Sequence, residues 1–140
     1  MKTLFMTLIL LYFGLHANAA TPIKCFSKYY TENNVLIQLT AIAVSDTELK
    51  NFTLEVEDYD FFSKLKNLTN TSGYHPHKYK GFQRFVVPNN LGDGANKTLS
   101  VLLPEKLMSV KGRFDAYVSD ANADNSGSDG YYRVLCQSPL

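Results

Sequence analysis

Three observations predict a mainly β fold, an antiparallel β-sandwich of about seven strands with one or two short helical turns. Apolar residues recur at every second position through much of the chain, the period of a strand that buries one face. Clusters of Asn, Asp, Gly, Ser and Pro break these runs at near-regular intervals. Two cysteines, Cys25 and Cys136, bracket the whole strand-forming region.

The first 19 residues stand apart. Lys2 is followed by an apolar run over 4–15 and then by Ala17-Asn18-Ala19, the order of charge, apolar middle and small-residue site that a secretory signal peptide requires. An apolar run of about a dozen residues falls short of the roughly 20 that span a bilayer. Cleavage after Ala19 is expected to release one domain over 20–140, periplasmic or secreted, with no integral membrane anchor. In that oxidising compartment Cys25 and Cys136 are expected to form a disulfide joining the first and last strands. They lie too far apart to be a C-x-x-C redox pair.

The strands follow in order. An opening strand over 23–30 leads to residues 34–44, where Val35, Ile37, Leu39, Ala41 and Ala43 make one apolar face and Leu36, Ile42 and Val44 make the other partly apolar, as in a central strand. Over 51–57 the alternation is cleaner: Phe52, Leu54 and Val56 point one way and Asn51, Thr53, Glu55 and Glu57 the other. Residues 60–68 place Phe61, Phe62, Leu65 and Leu68 at helical spacing, and a short helix is expected there. A strand over 79–87 comes next, then the triplets Leu99/Val101/Leu103, Phe114/Ala116/Val118 and Tyr132/Val134/Cys136. Between the first two triplets, Pro104-Glu105-Lys106-Leu107-Met108 reads as one or two helical turns, with Pro at the start and Gly112 as the stop.

Charge narrows the function. The chain holds 14 basic and 13 acidic residues, and Lys2 leaves with the leader, so the domain is balanced. Nucleic-acid binders carry a basic excess or stripe, so nucleic acid is not the expected partner. Catalytic groups are sparse as well. Outside the leader there are two histidines, there is no G-x-S-x-G, and both cysteines are committed to the bridge. Glu55 and Glu57, with Asp58 and Asp60 nearby, read as the wet face of a strand rather than an acid/base pair.

Two segments have metal-ligand spacing. His75-Pro76-His77 puts two imidazoles on one side of an extended stretch, a partial set for zinc or copper that competes with a plain exposed turn after Ser72-Gly73. Asp120, Asn122 and Asp124 alternate as in the first half of an EF-hand loop, with Asp129 as a further oxygen donor for calcium. Asn125 stands where that loop takes Gly, and Tyr131 where it takes the bidentate Glu. N-x-S/T triplets at Asn51, Asn67, Asn70 and Asn96 would mark exposed positions in a host that attaches N-glycans.

The resulting expectation is a small exported protein with a non-enzymatic binding or structural role. Its partner would be an envelope or extracellular protein or a glycan, met by a patch drawn from Tyr29, Tyr30, Tyr74, Tyr79, Tyr117 and Tyr131. The alternatives are a calcium-stabilised binding module using the 120–130 loop and an enzyme whose site is not grouped in sequence. For a calcium loop lacking the bidentate Glu, the dissociation constant should lie on the order of 0.1–1 mM. Several millimolar calcium should then raise the melting temperature over that in chelator, and Asp120→Ala/Asp124→Ala should remove the rise. Identical melts in the two buffers would show the segment to be only a turn.

Overall fold

An antiparallel strand with apolar residues at alternate positions buries one face, and its neighbours must present matching faces for a core to form. The computed structural model describes residues 20–27, 36–57, 61–71, 79–90, 98–119 and 131–139. Among these are eight strands: β1 (Thr21–Ser27), β2 (Ile37–Ser45), β3 (Glu48–Val56), β4 (Phe61–Thr69), β5 (Phe82–Pro88), β6 (Thr98–Pro104), β7 (Gly112–Ser119) and β8 (Tyr131–Ser138). They lie in a single antiparallel sheet in the order β4-β3-β2-β1-β8-β7-β6-β5.

Every ladder but one joins strands consecutive in the chain, the exception being β1 with β8, and β4 and β5 stand at the two ends of the order. The sheet curls until its two outermost strands meet. Thr71 N–H donates to Arg84 O and Asn90 N–H to Phe62 O, both at 2.8 Å, while no ladder pairs β4 with β5 between those points among the described residues. The outcome is a nearly closed, barrel-like sheet. The ladder is also narrow between β6 and β7, where only Val101↔Val118 and Leu102↔Tyr117 are paired. Just beyond them the Ser119 hydroxyl accepts from Ser100 N–H at 2.7 Å, in the place of a main-chain carbonyl. The two sheets of the expected sandwich are thus continuous through β1 and β8, and the strand count rises from seven to eight.

The alternation places the core where the sequence puts it. Ile37, Leu39, Ala41 and Ala43 of β2 and Leu49, Phe52, Leu54 and Val56 of β3 are buried, together with Phe85 and Val87 of β5 and Val134 of β8. Gln38, Thr40, Glu55, Lys64 and Lys66 occupy outward positions and are exposed.

The expected helix over 60–68 is strand β4. Its register with β3 runs from Glu48↔Thr69 to Val56↔Phe61. The helical spacing has a local cause. In β3 the register against β2 shifts between Thr40 and Ile42, and Asn51 adopts a positive φ of 49°, a conformation Asn tolerates. Lys50 and Asn51 are therefore both exposed, and so are Lys66 and Asn67 opposite them on β4. Two outward residues in succession stretch the apolar spacing to Phe61, Leu65 and Leu68, which imitates helical repeats. Ser63 fills the inward position between, fully buried, with its hydroxyl donating to Asn90 Oδ1 at 3.0 Å.

The helical turn expected near Pro104 is a single 3-10 turn, Leu107–Ser109, starting three residues later than expected because Pro104 still belongs to β6. It covers one end of the barrel. Leu107 is buried, Met108 N–H donates to Asp46 Oδ1 at 2.8 Å, and Gln83 Nε2 donates to Asp46 O and, at 3.1 Å, to Pro104 O.

Cys25 and Cys136 stand directly opposite on β1 and β8, form the expected disulfide, and are fully buried. The bridge closes a sequence separation of 111 residues. In the chain-entropy model, a loop of that length gives about 4–5 kcal/mol. Cys25→Ala/Cys136→Ala is expected to lower the unfolding free energy by that order in urea titrations. A loss near zero would show that the β1–β8 ladder holds the junction by itself.

Candidate functional site

Outward-pointing apolar side chains are the place to look for a site, because burial already explains the inward ones. Among the described residues, two such groups on the outer face differ in exposure.

The first lies over β5, β6 and β7. Leu102 points outward, paired with Arg84 and Tyr117, yet it is fully buried and lies outside the main core. Aromatic rings close over this part of the face. Tyr79 stacks at 4.6 Å from Tyr117 and 5.2 Å from Tyr131, and Phe82 meets Tyr117 edge-on at 5.4 Å. Gly81, at φ +88°, reverses the chain so that Tyr79 folds back against the sheet, and Glu105 N–H fixes the turn on Gly81 O at 2.9 Å. Three of the six tyrosines expected to form a patch therefore gather, while Tyr29, Tyr30 and Tyr74 lie outside the described residues. At 7% exposure Tyr79 is a packing residue. Around it Phe82, Tyr117 and Tyr131 are half-buried.

The second group lies over β1, β8 and β7, and the register builds it row by row. Lys24, Gln137 and Arg113 stand side by side across the three strands, and Phe26, Leu135 and Asp115 form the next row. Pro22, Pro139 and these side chains, Asp115 excepted, line a groove of about 400 Å³, within the size range of small-ligand sites. Phe26 is 52% exposed, a large apolar side chain left in water on a strand whose next-door Cys25 is locked inside. Asp115 is paired with Arg133 at 2.9 Å. Lys24 and Arg113 are exposed and make no ion pair with a described residue. The groove can hold apolar surface and negative charge, and its lining carries no carboxylate or imidazole.

Sequence reasoning missed this group, although a signal was present. If Ile23 and Cys25 point inward, Pro22, Lys24 and Phe26 point outward, and a phenylalanine on the wet face is the anomaly. Of the residues expected to form a disulfide or hold a metal, Cys25 and Cys136 are described, and they are bridged. Asp120, Asn122, Asp124 and Asp129 of the calcium expectation, and His75 and His77 of the zinc or copper expectation, lie outside the described residues. Among the described residues no three His, Cys, Asp or Glu side chains are grouped to hold a metal ion. Glu55 and Glu57 are exposed, as expected of a wet face. No helix among the described residues is long and apolar enough to cross a membrane.

No protein-family model matches the chain, and neither a curated protein nor a solved structure matches it at a significant level. The two outer groups can be told apart by stability. Tyr79→Ala should cost about 3–5 kcal/mol, the range for a buried aromatic truncated to Ala. Phe26→Ser should change the unfolding free energy by no more than about 0.5 kcal/mol, as at other exposed sites. Equal losses in parallel urea titrations would make Phe26 a packing residue too.

Proposed function

We infer that this protein is an exported, non-enzymatic binding module acting in the periplasm or outside the cell, and that it holds its ligand on the outer face of β1, β8 and β7. The observation that carries the reading is Phe26, exposed beside an apolar groove on the two strands that the disulfide joins.

Rigidity supports it. Phe26 and Leu135 directly follow and precede the two bridged cysteines and are paired with each other across the β1–β8 ladder. Their backbone positions are set before any ligand arrives, which lowers the ordering cost of binding. The leader over 1–19 and the disulfide both point to a compartment outside the cytoplasm.

The test is a screen of small aromatic and aliphatic fragments against the isotopically labelled protein. Binding fragments are expected to shift the amides of Lys24, Phe26, Leu135 and Gln137, and Phe26→Ser should abolish those shifts while leaving the rest of the spectrum in place. Shifts confined to another face would move the site there.

A further inference from the structure

The charge around the groove goes further and names the kind of molecule that fits. We propose, building on the reading of this face as the binding surface, that the groove takes a single-chain organic anion: an anionic head group between Lys24 and Arg113, and an apolar body along Phe26 and Leu135.

The register supplies the geometry. Lys24 and Arg113 flank Gln137 in one row across adjacent strands, so their backbones lie two strand spacings apart, roughly 9–10 Å. Both side chains are long enough to converge above Gln137, whose exposed amide adds a donor to the two cations. A carboxylate, sulfate or phosphate group placed there meets positive charge on two sides. The neighbouring row is apolar at Phe26 and Leu135, and its one acid, Asp115, is already neutralised by Arg133 at 2.9 Å. Charge and apolar surface thus sit in adjacent rows, as the two parts of an amphiphile require.

The same arrangement disfavours the other occupants. A second copy docked face to face would bring two Lys24 and two Arg113 side chains together with no acid in the lining to offset them. A bilayer would extend past the groove onto Gln38 and Glu55, exposed polar residues that continue the Phe26 row on β2 and β3. A groove of about 400 Å³ suits one molecule.

Four amphiphiles sharing a decyl chain test the proposal: decanoate, decyl sulfate, decyltrimethylammonium and decyl maltoside, each titrated into the protein below its micelle concentration and followed by calorimetry and amide shifts. Both anions are expected to bind about tenfold or more tighter than the trimethylammonium compound, with shifts centred on Lys24, Phe26, Leu135 and Gln137. Lys24→Gln/Arg113→Gln should cost the anions about tenfold, the combined effect of two exposed charges, and leave decyl maltoside unchanged. Both residues are exposed, so the double variant is expected to fold. Equal binding of all four compounds in the groove, or an unaltered anion affinity in the double variant, overturns the anion preference but leaves the binding face standing. Sedimentation with phosphatidylglycerol vesicles and no response to decanoate assigns the face to a bilayer and overturns the single-molecule proposal. The absence of any groove shift with any of the four, and of vesicle binding, overturns both.

Discussion

The pairing of β1 with β8 is the constraint on which the rest of the fold hangs. Every other ladder in the sheet joins strands that follow one another in the chain, so each forms from a local connection. The β1–β8 ladder instead brings together segments from opposite ends of the chain, at the loop-closure cost of all the residues between. Without it, β4 through β1 and β8 through β5 would be two separate meanders, each with its apolar face open to water. Four residue pairs make this junction, and the buried disulfide sits in the middle of them. The one covalent bond of the fold thus lies where the two half-cores meet.

Much of that organisation was legible in the sequence, and the exceptions have physical causes. Ile37, Leu39, Ala41 and Ala43 alternate without interruption, and β2 is buried as expected. Phe61, Leu65 and Leu68 do not alternate, because the irregularity at Lys50-Asn51 has a counterpart at Lys66-Asn67. That irregularity is a property of the β3–β4 pair, and a reading of one segment at a time has no means of seeing it. Closure was hidden for the same reason. Periodicity says which face a strand buries, but whether a sheet splits into two layers or curls onto itself depends on contacts such as Thr71 with Arg84 and Phe62 with Asn90.

The candidate site was less legible than the core. Tyrosines were expected to supply the surface, but Tyr79 is held under its neighbours by the turn at Gly81, and its ring packs against Tyr117. Burial of an aromatic residue on the outer face depends on which loop folds over it. The register, in contrast, would have been enough for the groove. Once Cys25 is set opposite Cys136, Lys24 must lie beside Gln137 and Phe26 beside Leu135. A disulfide between neighbouring strands thus carries information about the outer surface as well as the core.

The direction of the chain adds a last consequence. Thr21 opens β1 and Ser138 closes β8 at the same end of the sheet, since Lys24 is paired with Gln137. Traced strand by strand, the path is a circle interrupted once, and the disulfide spans the interruption. A short peptide joining residues 20 and 139 would turn the molecule into a ring of nearest-neighbour strands, in which the chain could begin at another surface connection with the same sheet order kept. In such a ring the first and last strands would cease to be special, and the cysteines would become ordinary residues of one more hairpin.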